Sequence, residues 1–154
     1  MINQAFLQFE TDFVDSLRCI PMIVRMKLDT CGVKLKLEHW HQFSQTERQS
    51  LVVMACETPS EIARYREFLQ DLVIAKTGKA AKDLAIDSHP SWLNTDTIPE
   101  TVRDKAAEFN IEISRQKWFN LSPLQRFALI KLSRPSHENR NFMPALKEFG
   151  IVES

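Results

Sequence analysis

Glycine is scarce, with three in 154 residues. A β-rich fold with many tight turns needs more, so the scarcity favours helices. Charge imbalance is missing too. Twenty basic residues meet twenty acidic ones, and a net charge of zero argues against broad electrostatic binding to nucleic acid or to an anionic membrane. No apolar run approaches the roughly 20 residues that span a bilayer. Residues 1–10 show no basic stretch followed by an apolar one, so no secretory leader is expected. The cysteines, Cys19, Cys31 and Cys56, are odd in number and widely spaced. Reduced thiols in a cytoplasm fit that pattern better than a disulfide frame. Glycine-rich nucleotide loops, the GxSxG elbow and acidic calcium loops are all lacking. Nucleotide, serine-hydrolase and EF-hand readings therefore have no motif support.

What is present is an ordinary globular composition, 44% hydrophobic and 26% charged. The length suits one domain over residues 1–154. Within it, residues 20–53 slide onto 98–131 without a gap, 78 residues apart. Nine of the 34 columns are identical, among them Ile20/Ile98, Pro21/Pro99, Arg25/Arg103, Trp40/Trp118, Ser44/Ser122 and Arg48/Arg126. Repeats of this period usually mean one supersecondary unit packed on its copy.

Each segment has the same grammar. Ile20, Val24, Leu28 and Cys31 recur at helical spacing behind Pro21, and Gly32 is the stop signal. Val33 to Leu37 alternates at period two, a short strand signal. A helical turn around Trp40 follows, then the capping box Ser44-Gln45-Thr46-Glu47. In the second segment Thr97 caps a helix carrying Val102, Ala106 and Phe109 on its inner face, and Asn110 is the stop. Ile111-Glu112-Ile113 is the matching strand, followed by Trp118 and a second box at Ser122. Between the segments, Thr58-Pro59-Ser60-Glu61 opens a long helix, and residues 79–96 read as a connector. The N-terminal apolar pattern, Phe6 to Leu17, begins extended and turns helical near Asp12. The expected fold is mainly α, built of duplicated helix–short strand–helix units. Strands this short need a partner, so 33–37 and 111–114 are expected to pair as a minimal two-stranded ribbon.

The spacing assigns most reactive residue types to the scaffold. Trp40 and Trp118, and the paired arginines, have counterparts in the other segment; the tryptophans read as core anchors and the arginines as members of structural ion pairs or as caps. Cys31 reads as a small buried hydrophobe. Cys19 stands opposite Thr97, at an expected helix N-terminus beside Arg18, where a thiolate is stabilised. It is the candidate reactive thiol. His39 and His41 are separated by a helical turn, with no CxxC or HExxH nearby, so no metal or other cofactor is expected. Trp92, in the connector, has no counterpart and is a candidate for a partner surface. The densest polar cluster is Arg134 to Asn141. Held rigid, it suits recognition of a protein surface or an oxyanion.

Long, irregular stretches of this chain resemble one family. They are Phe9-Glu10-x-Asp12-Phe13-Val14-x-Ser16-Leu17-Arg18-Cys19-Ile20-Pro21, then Lys27-Leu28-Asp29-x-Cys31-Gly32-Val33-Lys34-Leu35. Leu121 to Pro135, His137 to Phe142 and Pro144 to Phe149 add to them. The resemblance is to the nitrate reductase-associated protein family and spans about residues 6–150. It implies a cyanobacterial-type accessory protein, whose relatives lie near genes for assimilatory nitrate reductase and molybdopterin biosynthesis. No catalytic residue comes with it.

Three functions follow as expectations. The first is a non-enzymatic cytoplasmic accessory protein that binds nitrate reductase and assists its maturation, molybdenum cofactor loading or activity. Its expected contacts are Arg134, His137, Glu138, Asn139 and Arg140, with Arg18 and Cys19 next. The second is a thiol- or metal-dependent redox protein using Cys19 with Cys31 or Cys56. The third is a carrier of the molybdopterin cofactor, weakened by the lack of a glycine-rich phosphate loop.

Overall fold

The computed structural model describes residues 6–10 and 19–153, with the side chains of His137 and Glu138 outside the described set. The expected helix near Asp12 therefore falls outside the described residues. Gln8–Glu10 forms a short 3-10 turn. The chain divides into two compact units, Met1–Asp87 and Ser88–Ser154.

In the first unit, α1 (Met22–Cys31) follows extended Pro21 and buries Val24, Leu28 and Cys31 along one face. Its first amide, Met22 N–H, donates to the buried Glu10 carboxylate at 3.0 Å, a negative charge at the positive end of the helix. Gly32 ends α1 with φ +77°, a conformation that suits glycine. The strand β1 (Val33–Lys34) leads to α2 (Leu37–Gln42), which carries Trp40. The box at Ser44 opens α3 (Gln45–Val53), with Glu47 N–H on Ser44 Oγ at 3.1 Å and Ser44 N–H on Glu47 Oε1 at 2.7 Å. The same chemistry at Thr58 and Glu61 opens α4 (Pro59–Thr77), which Gly78 ends. Trp40, Leu51, Tyr65, Leu69 and Val73 are fully buried with the α1 face. Each such large side chain contributes about 1.5–3 kcal/mol.

In the second unit a 3-10 turn, Ser91–Leu93, precedes α5 (Glu100–Ala107). Asn110, at φ +59°, takes the left-handed stop position. Then come α6 (Arg115–Asn120) with buried Trp118, α7 (Pro123–Ser133), a 3-10 turn His137–Asn141 and α8 (Phe142–Glu148). Val102, Phe127, Leu129, Phe142 and Leu146 form its core. The elements of the two segments start in step: Met22 and Glu100, Leu37 and Arg115, Gln45 and Pro123 each lie 78 residues apart.

The protein is mainly helical with one minimal antiparallel sheet among the described residues, but the ribbon is not the expected one. The partner of β1 is β2 (Lys82–Asp83), with Val33 opposite Asp83 and Lys34 opposite Lys82. Residues 111–114 belong to no strand. The expectation failed because Lys82-Asp83 carries no strand signal. Its position is fixed from outside, by α4. Gln70 bonds both backbone groups of Ala81, at 2.9 and 2.8 Å, and Arg66 pairs with Asp83.

Two cap assignments also need correction. The N-cap positions are Pro21 and Pro99, so Cys19 and Thr97 each stand two residues before the N-cap of their helix. Phe109, expected on the inner face of α5, is 40% exposed, because the helix stops at Ala107. Its ring stacks on Phe142 instead, centroids 6.5 Å apart.

Candidate functional site

The polar stretch expected to meet a partner is the turn between α7 and α8. Its two ends are anchored. On one side Leu132 and Ser133 are buried, and Ser133 Oγ donates to the Ile130 carbonyl at 2.7 Å. On the other side Phe142 is fully buried. Arg134 ends α7 in an extended conformation that turns the chain out of the helix, and Pro135 follows. The turn is closed by the Asn139 N–H on the Ser136 carbonyl at 3.1 Å.

Arg134 and Arg140 are exposed, and neither guanidinium has a partner among the described residues. Asn139 is half-buried. His137 and Glu138 sit on this turn, with side chains outside the described set. Two exposed guanidiniums on a backbone anchored at both ends can each meet a carboxylate or phosphate bidentately, with the cost of binding falling on the side chains more than on the backbone. Arg18, the other expected contact, lies outside the described residues.

The duplicated arginines divide. Arg48 donates to the carbonyls of Trp40 and His41, each at 3.0 Å, at the C-terminal end of α2. Arg126 does the same at the end of α6, reaching the carbonyls of Trp118 at 3.3 Å, Phe119 at 3.5 Å and Leu121. Its Nε also donates to the Trp92 carbonyl at 2.6 Å. These are structural caps, the one of the two expected roles in which the arginine meets backbone carbonyls rather than a carboxylate. Trp92 is half-buried with its ring edge on Phe127, centroids 5.0 Å apart, so it serves the core at least in part. Arg103, however, is exposed and has no partner among the described residues. With Arg115 it edges an open groove of about 550 Å³ beside Ile111–Ile113. Sequence reasoning missed this site because the repeat placed Arg103 with the scaffold. The signal that could have found it is Arg115, a charge where the other segment has Leu37.

The thiols also divide. Cys19 is exposed in a bend, whereas Cys31 and Cys56 are buried. Burial pushes the Cys31 thiol up to about 11 and the Cys56 thiol up to about 12. Lys27 lies close by, its Nζ on the carbonyls of Val52 and Met54 at 2.6 Å each, and burial lowers its pKa. Thiols of that kind stay protonated at neutral pH and are poor nucleophiles and metal ligands. No group of three or more metal-ligating side chains occurs among the described residues, and no described helix is long and apolar enough to cross a membrane.

The anchored turn and both ends of the scaffold lie within one continuous family match. A family model described as conserved nitrate reductase-associated protein covers residues 6–149. The chain belongs to that family. No curated protein and no solved structure matches it. The family match takes in every candidate named above, from Cys19 to Arg140, without singling out any of them.

Proposed function

We propose that this chain is an accessory protein that binds nitrate reductase and assists its maturation, molybdenum cofactor loading or activity. The observation that carries the reading is the family match over residues 6–149, whose description names association with nitrate reductase. The turn at 134–141 is the proposed contact, with Arg134, Asn139 and Arg140 as its described members and His137 and Glu138 beside them. Its support is physical: exposed guanidiniums without partners, on a backbone anchored by Ser133 and Phe142. Such a surface meets acidic side chains of a protein without first having to become ordered. Three free cysteines fit work in the cytoplasm. The redox alternative weighs less, since two of its three thiols are buried with raised pKa values.

Co-purification tests the proposal. The tagged chain should retain nitrate reductase from an extract that contains it, and Arg134→Ala with Arg140→Ala should release it. Failure to retain either the cofactor-free or the loaded enzyme would sink the reading.

A further inference from the structure

In the first unit β1 is covered. Gly32 O accepts from Leu84 N–H at 2.9 Å, and the register sets Lys34 against Lys82 and Val33 against Asp83. Val33 is thereby fully buried. The residues 78 positions later are Asn110, Ile111 and Glu112. Asn110 has the same left-handed backbone as Gly32, φ +59° against +77°. The Ile111 N–H is used, on the Ala106 carbonyl at 3.0 Å. The carbonyls of Asn110 and Glu112 and the Glu112 N–H have no partner among the described residues. These are the backbone groups that, in the first unit, face β2. Ile111 is only half-buried where Val33 is fully buried.

The same segment borders the groove of about 550 Å³, lined by Ile98, Ala107, Ile111 and Ile113, with Arg103 and Arg115 and the carboxylates of Asp96 and Glu112 also on its wall. A groove of this size, with apolar and polar groups on its wall, has the usual build of a binding site. An exposed edge with unpaired backbone groups is a template for another extended chain.

We propose that Asn110–Ile113 is a docking edge that takes an extended segment of a partner protein as an antiparallel strand. The first unit indicates the chemistry of the occupant. There Asp83 meets Arg66, so the incoming strand should carry an acidic residue for Arg103 or Arg115. The residue before it lies opposite Glu112, as Lys82 lies opposite Lys34, and should be basic. Ile86 packs where Gly32 has no side chain, 2.8 Å from the place a Cβ would take. Asn110 does have that Cβ, so the incoming chain should be small three residues after its acidic one. The inference goes beyond the nitrate reductase reading and does not rest on that enzyme being the source of the strand.

The test is a titration of the isotope-labelled full chain, followed through its amide resonances. The probe is an acetylated and amidated heptapeptide of sequence AAKDLAA, which is residues 80–86 with the final isoleucine made alanine. Saturable shifts at the Glu112 and Ile113 amides are expected. Methylating the peptide nitrogens of its Lys and Leu should weaken binding at least tenfold, and so should Arg103→Ala with Arg115→Ala. Absence of shifts at millimolar peptide, equal shifts from the methylated peptide, or the same shifts from inorganic phosphate alone would each overturn the proposal. None of those results bears on co-purification with nitrate reductase, so the two readings fail separately.

Discussion

Arg126 Nε donates to the Trp92 carbonyl at 2.6 Å, tying the 3-10 turn before α5 to the helix that follows α6. The guanidinium is buried, with no carboxylate partner among the described residues, and burial lowers its pKa. Backbone carbonyls at the negative end of α6 take the place of a counter-ion. Arg126→Ala would leave several carbonyls without a donor. A loss of about 3 kcal/mol is expected, measured by denaturant unfolding. Arg48→Ala should cost less, because its guanidinium is only half-buried and bonds two carbonyls.

Gly32 and Gly78 separate strain from crowding. Both have φ near +80°, but a Cβ at Gly32 would sit 2.8 Å from Ile86 while one at Gly78 meets nothing within 4 Å. Gly78→Ala should therefore cost about 1 kcal/mol from backbone strain alone. Gly32→Ala should cost more by about 1 kcal/mol or greater, and Ile86→Ala combined with it should recover part of the difference. Thermal unfolding of the four proteins checks this.

Alkaline pH should destabilise the first unit. Burial raises the Cys31, Cys56 and Tyr65 groups above their ordinary values, the thiols from 9.0 to about 11 and about 12. A raised folded pKa gives stability that is complete below the unfolded value and is lost as pH rises through the folded one. Lys27, lowered by burial, acts the other way up to its unfolded value of 10.5. The three raised groups outweigh it, so stability should fall above pH 9, with each thiol contributing on the order of 1 kcal/mol per pH unit. Cys31→Ala with Cys56→Ala should flatten that slope, as read from urea midpoints between pH 8 and 11.

Thiol labelling should be strongly unequal. Cys19 is exposed, and Cys31 and Cys56 are buried and protonated. A maleimide at neutral pH should modify one thiol quickly and the other two only on unfolding. Equal rates at all three, followed by mass spectrometry, would contradict the burial described here.

The helices were legible because their ends carry chemistry. Ser44, Thr58, Ser114 and Ser122 each place an oxygen on the amide three residues on, Gly32 caps the end of α1, and Asn110 takes the left-handed turn three residues past the end of α5. The burial of Trp40 and Trp118 followed from their matched positions. The ribbon was not legible. Lys82 and Asp83 are exposed and polar, and side chains of Gln70 and Arg66, more than ten residues away, hold that segment in place. The groove was hidden for the opposite reason. A repeat in sequence reads as sameness, while Arg103 differs from Arg25 through its surroundings rather than its identity. The residues at 134–141 proposed to meet a partner stood out as a polar cluster, but only the structure shows that the segment is flanked by buried Ser133 and Phe142.

Tyr65 is the one tyrosine of the chain, and its hydroxyl is enclosed and bonded to the Leu51 carbonyl at 2.7 Å. Its near-ultraviolet absorbance is therefore an intrinsic optical reporter of the first unit. Derivative spectroscopy can follow that unit's melting without any label, while the ring of Trp118, on the Asn94 carbonyl at 2.9 Å, contributes to the fluorescence of the second. If the two signals change at different temperatures, the units unfold one after the other. If they coincide, the protein melts as one cooperative body.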